Sequence, residues 1–198
     1  MANIALDEIL KKKTVYIFLV RTDSFFSRVI ARFTGRKYTH ASIGFDSECK
    51  SLYSFARLNT HSPVPAGFVK ENRDTGLLSL SPNAPCAVFK LNVTAQTYED
   101  IKNELEEMYC SKEKYHYCYA GPFMCYFGIP FRLKDSYFCS QFVVELLHRH
   151  RAITLTKPAS LYHPSDIENI PGMISVFRGK LSEISVTENI KPSKTAVL

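Results

Sequence analysis

The stretch Tyr137-Phe138-Cys139-Ser140-Gln141-Phe142-Val143-Val144-Glu145-Leu146-Leu147 decides how this chain is read. Cys139, Phe142, Val143 and Leu146 follow the i, i+3, i+4, i+7 spacing of an amphipathic helix. The spacing predicts a helix with Cys139 in its first turn and Asp135 or Ser136 capping the unpaired amides. The partial positive charge at a helix N-terminus favours a thiolate over a thiol, which is one way a nucleophilic cysteine is made. The same stripe also suits a cysteine acting as a small core hydrophobe. One cysteine without a located base does not separate the two readings.

The base is sought upstream. Lys37-Tyr38-Thr39-His40-Ala41-Ser42-Ile43-Gly44-Phe45 reads as a strand ending in the turn Asp46-Ser47-Glu48, with a second strand at 52–57. Side chains alternate faces, so His40 and Ser42 share one face and Ala41 and Ile43 the other. A turn centred near Glu48 sets Ser42 opposite Ser54, with His40 and Ser54 on the same side. A strand histidine oriented by a polar neighbour is what a helix-borne cysteine needs as general base. The alternative is a histidine satisfied by a backbone carbonyl.

The order strand, short helix, Thr39-His40-Ala41 strand, Tyr53-Ser54-Phe55 partner, aromatic segment and Tyr137-Phe138-Cys139-Ser140-Gln141-Phe142-Val143 resembles the circularly permuted branch of the NlpC/P60 papain-like superfamily. The nearest groups are the YiiX/YaeF-like and lecithin:retinol acyltransferase-like proteins. The resemblance covers residues 14–179 and includes Leu161-Tyr162-His163-Pro164-Ser165-Asp166-Ile167, similar to the proline-containing segment that often follows the cysteine helix there. It implies an α+β permuted papain-like fold, a small antiparallel sheet carrying His40 packed against the helix carrying Cys139. It also implies a third polar residue on the strand after the histidine. That strand offers no acid or histidine; Ser54 is the best-placed candidate, with Tyr53 and Arg57 behind it.

Composition agrees with one globular domain. Of 198 residues, 45% are hydrophobic and 13% aromatic, enough for a full core. The expected domain spans 14–182, with 183–198 a polar tail. A net charge of +6 favours an anionic partner, and no nucleic-acid motif accompanies it. Lys11-Lys12-Lys13 with the apolar run 14–20 superficially copies a signal peptide. The run meets Arg21-Thr22-Asp23, is too short to span a membrane and lacks a small-residue cleavage site. A buried first strand is the better account. A cytoplasmic setting is expected, with the six cysteines as free thiols.

Along the rest of the chain a helix is expected from Thr22 or Asp23 to Gly35, carrying Phe25, Phe26, Val29, Ile30 and Phe33. An irregular loop follows over 59–85, punctuated by Pro63, Pro65, Gly67, Gly76, Pro82 and Pro85. Residues 86–93 read as a central strand, and 97–110 as a surface helix with Ile101, Leu105 and Met108 inward. Ser165-Asp166 suggests a turn or cap, and 175–179 a closing strand. His148 and His150 sit at a helix C-terminus, where cations complement the dipole. His61 lies in the loop. The aromatic run 115–131 reads as core or as an acyl-binding wall beside Cys139. Cys110, His116, Cys118 and Cys125 are zinc-ligand types without knuckle spacing.

The resemblance therefore implies a cysteine hydrolase or acyltransferase cleaving an amide or ester through Cys139, His40 and Ser54, with the Cys139 backbone amide helping to hold the oxyanion. A small-molecule, lipid or peptide substrate, transient contact with an anionic membrane, and no cofactor, metal or nucleic acid are expected. The alternative is a non-catalytic lipid- or peptide-binding module on the same fold.

Overall fold

The computed structural model describes residues 12–21, 37–59, 62 and 64–184. The expected helix between Thr22 and Gly35, His61, and the chain beyond 184 lie outside them. Lys12–Val20 forms β1, consistent with the run 14–20 as a buried strand. His40–Gly44 is β2, Leu52–Arg57 is β3 and Ala66–Glu71 is β4. A short helix α1 spans Gly76–Ser79, followed by β5 at Pro85–Thr94 and α2 at Ala95–Cys110. His116–Tyr117 is β6, Gly121–Tyr126 is α3 and Ser136–Tyr137 is β7. Cys139–Arg149 forms α4 and Ile174–Lys180 forms β8.

All eight strands join one sheet in the order β7-β6-β4-β3-β2-β1-β5-β8. The sheet is larger than the small antiparallel one expected, and it is mixed, because β6 and β7 run parallel. Two segments account for the difference. The loop expected over 59–85 holds β4, which pairs with β3 along its whole length from Leu52↔Glu71 to Arg57↔Ala66. The two-residue strands β6 and β7 extend the edge next to α4. Ala66-Gly67-Phe68-Val69-Lys70-Glu71 buries Phe68 between neighbours with little apolar alternation, so pairing rather than side-chain pattern makes it a strand.

The two faces of the sheet bury different cores. Ile17, Leu19, Ala41, Ile43, Tyr53, Phe55, Phe68 and Phe89 face the main core. There α4 supplies Phe142, Val143, Leu146 and Leu147, and α2 supplies Ile101, Leu105 and Met108, the three residues expected inward. Thr94 caps α2 by accepting from the Thr97 amide at 3.1 Å. On the opposite face Phe18, Val20, Leu52, Cys86 and Val88 pack with Leu78, Leu181 and Ile184. Residues 183 and 184 thus belong to the folded unit rather than the tail: Ile184 is buried, and the Lys180 amide donates to Glu183 at 2.9 Å.

Helix α4 is pinned to the sheet by aromatic contacts. The Phe142 ring lies 5.1 Å from Phe55, 5.3 Å from Phe68 and 6.1 Å from Tyr137 between centroids. Phe142 is 1% exposed. Replacing it by alanine forfeits its transfer free energy and leaves a cavity between helix and sheet, so Phe142→Ala is expected to cost about 3–5 kcal/mol, read as a lowered urea midpoint at unchanged m-value.

Candidate functional site

Strand β2 carries the histidine and α4 carries the cysteine. The register Ile43↔Tyr53 and Gly44↔Leu52 is that of a turn centred near Glu48, so His40, Ser42 and Ser54 share a face as the alternation requires. Helix α4 packs on the other face, against Ala41 and Ile43. As the first residue of β2, His40 sits at the strand's end, where its ring and the Cys139 thiol are close enough to influence one another electrostatically. The backbone on both sides is anchored. The Tyr38 amide donates to Ser165 Oγ at 3.0 Å, and Ser140 Oγ donates to the Tyr162 carbonyl at 2.7 Å. In the segment that follows the cysteine helix, Asp166 accepts from the His163 amide at 3.1 Å, the capping role expected of the Ser165-Asp166 pair.

Ser54 does not reach the histidine. Its hydroxyl is buried and donates to the Ala41 carbonyl at 2.9 Å. The orienting group is Glu71, which the sequence reading placed in a loop. Leu52 pairs with both Gly44 and Glu71, so Glu71 shares the face of Ser42 and His40. From β4 the carboxylate reaches past β3, and Glu71 Oε2 lies 2.9 Å from His40 Nε2. Ser42 Oγ donates to the same carboxylate oxygen at 2.7 Å and stands 3.2 Å from Nε2. Since the one hydroxyl proton of Ser42 goes to Glu71, Ser42 can only accept from the ring. Nε2 therefore carries a proton, and Nδ1 is the nitrogen free to exchange one.

The electrostatics follow from this packing. Burial disfavours a charged His40, but the Glu71 carboxylate and the Cys139 thiol outweigh it and hold the imidazolium well above its ordinary pKa of 6.5. Burial likewise disfavours a charged Glu71, yet His40, with hydrogen bonds from His40 and Ser42, keeps its carboxyl below the usual value. Tyr117, beside the cysteine, has its phenol pushed well up, first by burial and then by Cys139, so it remains a protonated donor.

The start of α4 differs from the expected cap. Its N-cap is Phe138, with no side-chain cap bond, while Ser136 lies in β7 and Asp135 precedes it in the left-handed region at φ 51°. The first backbone bond of the helix runs from the Phe142 amide to the Phe138 carbonyl. The N-cap residue therefore does not compete for the first-turn amides next to the thiol. Phe138 is itself held in place by Gly121 at the start of α3. A Cβ on Gly121 would come 2.5 Å from the Phe138 ring and 3.2 Å from Cys118 Sγ.

The remaining candidates fall elsewhere. His150 pairs with Glu104 at 2.6 Å and His148 with the Ile153 carbonyl at 3.2 Å, both structural contacts. All six cysteines are free. Among the described residues no three His, Cys, Asp or Glu side chains are placed to hold a metal ion. No described helix is long and apolar enough to cross a membrane. The aromatic run divides: Cys118 and Cys125 are buried, while Tyr119, Phe123, Tyr126 and Phe127 are exposed. A groove of about 640 Å³ runs along the outer face of α4, lined by Gln141, Glu145 and His148, and does not include Cys139 or His40. The thiol and imidazole residues are nearly closed off, at 6% and 8% exposed.

No family model matches the chain, and neither the curated proteins nor the solved structures contain a significant match to it.

The Glu71 contact predicts a pH signature. In Glu71→Gln the pKa of His40, followed by NMR of the ring protons, is expected to move down, because the largest influence opposing burial is removed. Ser54→Ala should leave it in place. In the native protein His40 is raised, so its contribution to stability is complete below the unfolded value and lost as pH rises through the folded one. Glu71 is lowered, so its contribution is complete above the unfolded value and lost as pH falls through the folded one. Urea midpoints should hold a plateau between the ordinary carboxyl value of 4.5 and the ordinary imidazole value of 6.5, with a fall on each side, and Glu71→Gln should flatten both falls.

Proposed function

We propose that the chain is a cysteine hydrolase or acyltransferase of the permuted papain-like type, acting on an amide or ester bond of an acyl lipid or acyl peptide. The observation that carries the reading is the buried line Cys139, His40, Glu71, with the thiol on the first residue of a helix whose N-cap residue, Phe138, makes no side-chain cap bond. Glu71, rather than Ser54, is the third residue in this reading, and Ser42 holds it.

Nδ1 of His40 takes the Cys139 thiol proton, the sulfur attacks the carbonyl carbon, and the negative oxygen is met by the Cys139 amide and the protonated Tyr117 phenol. As the tetrahedral centre collapses, the C–N or C–O bond breaks and Nδ1 of His40 delivers its proton to the leaving group. An acyl-thioester remains. His40 then takes a proton from water, giving hydrolysis, or from an alcohol or amine, giving acyl transfer, as the acceptor oxygen or nitrogen displaces Cys139. Throughout, Glu71 fixes the ring through Nε2–H and stabilises the imidazolium. A positive net charge suits an acyl substrate with an anionic head.

The second reading, a non-catalytic lipid- or peptide-binding module, draws on the near closure of Cys139 and His40. Turnover separates them. Hydrolysis of medium-chain acyl esters should vanish in Cys139→Ala and fall about 10²–10⁴-fold in kcat/KM in Glu71→Gln, while Ser54→Ala retains it. Activity surviving Cys139→Ala removes the nucleophile.

Thiol labelling adds a test independent of substrate. Burial pushes up the thiols of Cys49 and Cys118 and takes that of Cys86 to about 12, so these should resist iodoacetamide. Cys139 should label in the native protein and cease to in His40→Ala, with exposed Cys110 labelling equally in both.

A further inference from the structure

Of the large hydrophobic side chains exposed among the described residues, six lie between 119 and 133: Tyr119, Phe123, Tyr126, Phe127, Ile129 and Leu133. Phe123 and Tyr126 stand at i and i+3 on α3, with Phe127 as its C-cap, and the inward side of the helix carries buried Cys125. The outer face of this helix is therefore aromatic. Clustering of this kind marks an interaction surface, since scattered apolar side chains are the ordinary condition of a protein surface.

The charge around the cluster identifies what it fits. From Tyr115 to Lys134 there is no acidic residue, while Arg132 and Lys134 close the stretch. The groove beginning at Pro130, Phe131 and Arg132 continues to Arg149 and Lys157, and each of these cations is paired at its rim, Arg132 and Arg149 with Glu145, Arg149 also with Glu104, and Lys157 with Asp166. Arg132 bonds Glu145 at 2.8 Å and Lys157 bonds Asp166 at 2.7 Å, yet their side chains stay 69% and 38% exposed. Aromatic rings on a short helix, flanked by exposed cations, match the boundary of a lipid leaflet: rings at the level of the headgroups, cations against anionic lipid.

We propose that α3 and the residues following it, up to Leu133, dock the protein on an anionic lipid membrane. The surface leads directly into β7 and the Cys139 helix, so docking places the thiol beside the leaflet. The inference deepens the acyl-lipid reading and rests on it only for what is turned over; the docking itself rests on the exposed rings and cations.

The test is co-sedimentation of the whole chain with phosphatidylcholine vesicles, with and without phosphatidylserine. Binding is expected only where phosphatidylserine is present, and high salt should weaken it. Phe123→Asp combined with Phe127→Asp should lower partitioning at least about tenfold, and removing Arg132 or Lys134 by glutamine about fivefold each. Unchanged thermal melts would show that these surface variants fold. Cys139→Ala should bind as the native protein does. Native protein remaining in the supernatant overturns the proposal, as does undiminished binding by the double aspartate variant. So does a dimer on gel filtration that the double variant dissolves, which would make a second copy the occupant. Vesicle binding without any acyl turnover would leave the docking surface standing and remove the catalytic reading.

Discussion

A buried charge pair sets the terms for the rest of this molecule. Removing His40 and Glu71 from water costs several kcal/mol per ion before their attraction is counted, and the cost is recovered only when the geometry is good and the remaining lone pairs are satisfied. Here the 2.9 Å contact is reinforced by Ser42, which donates to the carboxylate and accepts from the ring. That arrangement constrains three strands at once: β2 must present His40 and Ser42 on one face, β4 must deliver Glu71 to the same face, and β3 must lie between them in register. A slip of one residue in either pairing would turn a charged group into the aromatic core.

The opposite face explains why the cysteine arrives where it does. Phe55, Phe68, Tyr137 and Phe142 lock α4 against the sheet, and Tyr137 also forms the parallel edge with Tyr117. The aromatic core and the polar site are thus two sides of the same few strands. The helix is positioned by hydrophobic packing on one face, and its first residue meets a histidine belonging to the other at the strand's end.

How much of this was legible in the sequence depended on whether the signal was local. The helix stripe around Cys139, the alternation about His40 and the inward residues of α2 are short-range patterns, and the structure has them. Glu71 was missed because Ala66-Gly67-Phe68-Val69-Lys70-Glu71 lies between proline- and glycine-rich segments and shows little alternation; its strand character comes from pairing with β3. Ser54 was placed on the correct face, but a serine side chain is short, and the Ala41 carbonyl is nearer to it than the ring. The cap expected at Asp135 or Ser136 gave way because β7 recruits Ser136 and Tyr137 into the sheet edge. The exposure of the aromatic run was not readable, since composition alone does not tell a ring facing inward from one facing water.

Glycine in a helix is usually taken as slack, a position where a methyl group could be added to stiffen the chain. Gly121 is the reverse. With the Phe138 ring and Cys118 occupying the space a side chain would need, the contact has no clearance, and α3 cannot shift towards the start of α4 without moving Phe138. The absence of a side chain there acts as a mechanical stop. A push on the exposed helix is delivered to the residue that precedes the thiol instead of being absorbed by loose packing.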